Sequence, residues 1–241
     1  MLKQVSSDVQ VVMEATNVYW ERCAHHFHTL GYVASVVNPA QIKYFARSVL
    51  RRGKMDVMDA EIIARYGLMM RPGCWAPAST ALMDLNTLTR ERESVLVRST
   101  QENNHLIALH DAHHAAAVVL TLAQQRLDLL DQLLVALDAA LHHFVDSDPV
   151  LVQQLKLLVS VPGFAFTSAA TVVAETSGFS RLETAEEISA AAGMVPSPQQ
   201  SGSKNGKGSI SKTGNTRLRG CLKSNSQEVM PQLEVERRPV A

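Results

Sequence analysis

From Leu106 to Phe144 the apolar positions fall alternately three and four residues apart, through Leu109, Ala116, Leu120, Ala123, Leu127, Leu130, Leu134, Leu137 and Leu141. Only a helix gathers such positions onto one face, and a stripe sustained for about five heptads predicts a long coiled coil, interrupted at His113 alone. A preceding helix, from about Met83 to Asn104, carries a weaker seam in Leu85, Leu88 and Val95. Asp146-Ser147-Asp148-Pro149 ends the coil. A leucine stripe of this length is too apolar to leave in water, so the coil is expected to make a homo-oligomer.

The flanks read differently. Val9, Val11, Val12 and Met13 form a short apolar strand ending at Glu14; Asn17 is placed to cap a helix that Gly31 stops, with Tyr19 and Trp20 as core residues and His25, His26 and His28 in solvent. A valine-rich strand from Tyr32 to Val37 ends at Asn38-Pro39, and helices follow at about 40–50 and 55–70. Strand, helix and strand at this spacing imply a parallel pair with a crossover helix. Pro72, Gly73 and Pro77 mark a boundary. After the coil, helices run from about Val150 to Met194, then a polar Ser/Gly/Lys loop from Ser197 to Thr213 and a short basic helix. The expected organisation is therefore an α/β part at 1–75, coiled-coil helices at 80–148, a helical C-terminal domain at 150–225 and a divergent tail at 226–241.

Across 241 residues, 46% hydrophobic and 19% charged, the chain can bury a core, and its formal net charge of zero gives no global nucleic-acid signature. The charge is nevertheless segregated. No acid lies between Glu21 and Asp56, where six cations fall, or between Glu187 and Glu228, which holds Lys204, Lys207, Lys212, Arg217, Arg219 and Lys223. Such basic stretches suit phosphate. Cys23, Cys74 and Cys221 are scattered and odd in number, and no run of eighteen apolar residues exists. These features predict a soluble, cytoplasmic protein without a membrane partner.

Three constellations carry chemistry. Asp56 and Asp59, spaced i,i+3, share a helix face, and Glu14 ends a strand. Close carboxylates need a cation between them, and Mg²⁺ with phosphate oxygens is one solution; a solvated acidic helix start gives the same spacing. Val161-Pro162-Gly163 resembles the turn of a helix-hairpin-helix, in which amides near Gly163 hold a DNA phosphate, although Ala165 stands where a second glycine is usual. Gln200-Ser201-Gly202, with the lysines and arginines that follow, could present a serine nucleophile among cations, or be a surface loop. Cys221 lies beside basic residues that would lower its pKa.

In order along the chain, Glu14-Ala15-Thr16, Val36-Val37-Asn38-Pro39, Lys43, Phe45-Ala46, Lys54, Asp56, Asp59-Ala60, Pro162-Gly163, Ala169, Glu175, Ala192-Gly193, Pro196, Gln200-Ser201-Gly202, Ser211-Lys212, Gly214-Asn215 and Leu218-Arg219 resemble the insertion-sequence 110 transposases. That family pairs a RuvC-like, RNase H-like DEDD domain with a C-terminal transposase domain. The resemblance implies that Glu14, Asp56 and Asp59 are three members of a tetrad binding Mg²⁺. It implies that Ser201 is a covalent nucleophile toward DNA, with Lys204, Lys207, Lys212, Arg217, Arg219 and Gly163 contacting DNA. It further implies an oligomer recombining element ends and target, with a structured guide RNA in the better-known members. The family's first aspartate lies well before its glutamate, whereas thirteen residues precede Glu14 here. The reading is therefore of a copy truncated at its N-terminus, with a partial RuvC-like domain, that binds nucleic acid but cleaves it poorly. A non-catalytic DNA- or RNA-binding remnant is the alternative.

Overall fold

The computed structural model describes residues 9–49, 56–180, 182, 184–197, 200–201, 204–205 and 209–223, with the side chains of 56–58 and 197–209 left aside. Lys54, Lys207 and the tail 226–241 lie outside the described residues. The chain forms two compact units, Met1–Pro77 and Ala78–Ala241.

In the first unit β1 (Gln10–Glu14) and β2 (Val33–Val37) pair in parallel, with Glu14 opposite Val37, and α1 (Tyr19–Thr29) makes the crossover. Gly31, at φ +79°, ends α1: its N–H reaches His28 O and the Tyr32 N–H reaches Phe27 O. That is the glycine stop the sequence predicts. Asn17 does not cap the helix. It sits in the left-handed region at φ +52°, Val18 occupies the cap position, and no side chain bonds there. Tyr19 is 78% exposed rather than in the core, because it lies at the first turn. His25 is half-buried against Trp75, ring centroids 5.0 Å apart, and Trp20 meets the same indole edge-on. Asn38 caps α2 (Pro39–Ser48) through Oδ1 and the Ala40 N–H, 2.8 Å, with proline at the first turn. α3 (Asp56–Met70) follows, and Val37, Ile42, Ile62 and Tyr66 form the unit's buried cluster with Val12 and Phe45.

The second unit begins with an antiparallel hairpin of α4 (Thr80–Asp111) and α5 (Ala117–Asp146). The heptad seam is thus not one helix. It crosses the non-helical segment 112–116, in which His113 lies, and α4 runs past Asn104 to Asp111. The segment contains no glycine or proline, so local chemistry does not mark the break; pairing of two apolar stripes imposes it. The α4 stripe reads weakly because Arg92, Ser99 and Glu102 interrupt it. These three bond across the hairpin, Arg92 to Asp138 at 2.5 Å, Ser99 to Asp131 at 2.9 Å and Glu102 to Arg126 at 2.6 Å. As the α4 number rises the α5 number falls, which fixes the antiparallel register.

α6 (Pro149–Val159), capped by Asp148, and α7 (Phe166–Glu175) pack on the base of the hairpin. Leu85, Leu141, Val145, Leu151, Leu155, Ala169, Ala170 and Val173 make one buried cluster. α8 (Ala185–Ala191) starts with a capping box of Thr184 and Glu187. Within the stretch predicted as a polar loop, short described segments pair: β3 (Pro196–Ser197) with β6 (Ser209–Ile210), and β4 (Gln200–Ser201) with β5 (Lys204–Asn205). A helix over 216–223, here α9, closes the described chain. No helix among the described residues is long and apolar enough to cross a membrane.

Because the seam closes within the chain, Leu134→Asp is expected to destabilise the hairpin rather than dissociate an oligomer. A half-buried leucine exchanged for a charge costs about 2–4 kcal/mol, read as a lowered urea midpoint.

Candidate catalytic and nucleic-acid-binding sites

Strand alternation and helix periodicity set which way the carboxylates of the first unit face. Side chains two apart on a strand share a face, so Glu14 points to the side on which Val12 packs. That side holds α3: a methyl of Val12 lies 2.7 Å from where a Cβ on Gly67 would stand. Only glycine lets helix and strand approach so closely here. On α3, Asp59 precedes Ile62, Ile63 and Tyr66 by three, four and seven residues, so it lies on the same side of the helix as they do, at its exposed N-terminal end. Glu14 is half-buried at the carboxyl end of β1 and accepts a hydrogen bond from Thr16 Oγ1 at 2.8 Å; Asp59 is exposed. Asp56 begins α3, its side chain outside those described. Among the described residues no group of three or more His, Cys, Asp or Glu gathers around a metal position. The donors available are carboxylate oxygens, the type that hard divalent cations take.

In the second unit α6 and α7 are joined through Pro162 and Gly163. Gly163 stands at φ +84°, and the Phe164 N–H closes the turn on Val161 O at 3.1 Å. Ala165, where a second glycine was the expectation, sits at φ −73°, which alanine adopts freely. No side chain caps the α7 N-terminus.

Ser201 ends β4, paired with Lys204 across two intervening residues at the tip of a hairpin. The limbs leading to it are clamped. Gly193, at φ +66°, ends α8, with its N–H on Ala190 O and the Met194 N–H on Ser189 O. The returning limb bonds back to this corner, from the Ser211 N–H to Val195 O at 3.0 Å, Lys212 N–H to Gly193 O at 3.0 Å and Asn215 N–H to Ala191 O at 2.7 Å. Lys212 is exposed.

Two cations assigned to DNA from the sequence are engaged inside the unit. The Arg217 guanidinium, 18% exposed, bonds both Glu93 and Glu175. Arg219 donates to Ala192 O at 2.9 Å and to Thr216 Oγ1 at 3.2 Å. Basic spacing on a short helix gives no hint of acids brought from α4 and α7, which is why the sequence placed both on the surface. Glu175 was the missed residue; its only signal was its place in the ordered series of matching positions. Burial pushes its carboxyl up, but hydrogen bonds from Arg90 and Asn215 and the charges of Arg90 and Arg217 hold it below the ordinary glutamate range. A carboxylate so lowered contributes stability present above the unfolded value, roughly 4.3, and lost as pH falls through the lower folded value. Cys221 runs opposite to expectation: burial pushes its thiol up despite the nearby Arg217 charge.

Residues 2–115 match the DEDD-type transposase family of the IS110 kind. Residues 155–237 match the family described as transposase IS116/IS110/IS902. The pilin gene-inverting proteins of Moraxella bovis and Moraxella lacunata are each 28% identical to the chain over 218 residues, 90% of this chain and 66% of theirs. The chain thus spans just under two thirds of the length of these curated relatives.

Proposed function

Because this chain belongs to the IS116/IS110/IS902 family of transposases, we propose that it recombines DNA by cleaving and rejoining strands at the ends of a mobile element. The observation that carries this reading is the match of residues 2–115 to the DEDD transposase family, and the packing of α3 on the Val12 side of β1, the strand that Glu14 ends, supports it. Glu14, Asp56 and Asp59 would hold Mg²⁺, which when bound supplies charge neutralisation on the phosphate oxygens. The Ser201 hydroxyl attacks the phosphodiester phosphorus. A Ser201 O–P bond forms, the bond to the departing sugar oxygen breaks, and the hydroxyl proton leaves with the solvent or that oxygen. Lys204, Lys207 and Lys212 meet the phosphate charge, and the turn amides around Gly163 hold a second phosphate. Arg217 and Arg219 serve by fixing α9, the helix that follows the limb carrying Lys212. A structured guide RNA would meet the same cations. A second copy would dock on the outer face of α5, where Val118, Leu122, Leu129 and Leu133 remain exposed, since the seam is occupied within the chain.

Binding of element-end DNA to the full chain is expected to weaken with salt, and Lys212→Ala should reduce the log–log slope by about 1. A slope unchanged by Lys212→Ala removes that lysine from the interface. Binding without metal-dependent cleavage under any condition would favour the non-catalytic remnant.

A further inference from the structure

Glu175 ends α7 with its side chain only 4% exposed. A carboxylate buried this deeply persists only when charges and hydrogen bonds meet it. Here both oxygens are used. Oε1 accepts from Arg90 Nε at 3.2 Å and from Arg217 Nη1; Oε2 accepts from Arg90 Nη2 at 3.3 Å and Asn215 Nδ2 at 2.5 Å. Arg217 continues to Glu93, so charges alternate from Arg90 through Glu175 and Arg217 to Glu93 and join α4, α7 and α9.

Asn215 is the link that leads to the serine loop. While Nδ2 donates to Glu175, Oδ1 accepts the Arg217 and Leu218 N–H groups at 3.0 and 3.1 Å, capping α9, and its own N–H holds Ala191 O. Leu218, 1% exposed, then anchors α9 against Val172 and Ala192. The returning limb of the loop is therefore fixed at its root by one buried carboxylate. An apolar residue of similar size at 175 would leave the Asn215 amide and the Arg217 guanidinium without an acceptor between them.

We propose that Glu175 is a positioning residue that acts through Asn215 and Arg217 to hold the root of the Ser201 loop in register. The inference rests on Ser201 as the nucleophile. A nucleophile displaced by about 1 Å loses on the order of 10²-fold in rate while leaving phosphate contacts largely intact.

The test uses the full chain, with Glu175→Gln, which keeps shape but removes charge, and Asn215→Ala, which keeps the alternating ion chain. Hydrogen exchange at the Ser211, Lys212 and Asn215 amides should quicken about 10-fold or more in both, with Ala169–Ala174 unchanged. Formation of a protein–DNA adduct should slow by about 10²-fold while the Kd for DNA moves less than about 3-fold. Unchanged exchange at the three amides in both variants overturns the proposal. So does equal quickening across the α4–α7 core, which would make Glu175 merely structural. If the three amides loosen as expected but Ser201→Ala leaves DNA joining intact, the anchoring stands and the nucleophile assignment fails.

Discussion

Gly214→Val is expected to destabilise the second unit by about 3 kcal/mol or more, enough to release α9 and both limbs of the serine loop. A Cβ at 214 would stand 2.4 Å from Ala191 O, 2.5 Å from the Gly193 nitrogen and 2.8 Å from the Ala192 carbonyl carbon. All three are backbone atoms of the corner that ends α8, so no side chain can swing away to make room. Shifting that corner breaks the bonds from Lys212 to Gly193 and from Asn215 to Ala191. Gly193 offers no relief, because at φ +66° its own missing Cβ faces the Thr213 backbone at 2.8 Å. Gly220, six residues on and within α9, has nothing within 4 Å of a Cβ. There alanine should stabilise the helix, by about 0.5–1 kcal/mol. Urea unfolding of the two variants checks the contrast directly: a Gly214→Val midpoint equal to wild type would mean the two limbs do not interlock.

This pair of glycines shows what the sequence could and could not convey. Ala192-Gly193 and Gly214-Asn215 are visible as matching positions, but their mutual contact is a tertiary fact, created when two limbs distant in the sequence fold together. Local signals were legible where the chemistry is local: Gly31 ends α1, Asn38-Pro39 starts α2, and Asp148-Pro149 separates α5 from α6. The parallel pair with its crossover was legible because apolar runs and punctuation agree. The hairpin break at 112–116 was not, since the three-four spacing continues through residues that favour helix. Likewise Arg217 and Arg219 look like a phosphate-binding pair until Glu93, Glu175 and Ala192 are placed beside them. Period two on β1 puts Glu14 on the Val12 side of the strand, and the approach of Val12 to Gly67 shows that α3 covers that side.

The largest functional effect is expected from the carboxylates and the serine. On the proposed reading, Glu14→Ala or Asp59→Ala removes a hard oxygen donor and a negative charge from the metal site. Ser201→Ala removes the oxygen proposed to bond phosphorus. Each should lower strand cleavage by at least about 10³-fold, since residues that act as one unit fail together rather than additively. Neither carboxylate substitution should unfold the chain, because Asp59 is exposed and the Glu14 carboxylate, among the described residues, takes its side-chain hydrogen bond from the neighbouring Thr16. The decisive measurement is trapping of a covalent protein–DNA adduct on nicked element-end DNA with Mg²⁺. It should be run on the full chain. The account predicts a metal-dependent adduct mapping to Ser201 and lost in Glu14→Ala, Asp59→Ala and Ser201→Ala. Cleavage that persists when all three substitutions are combined would contradict it.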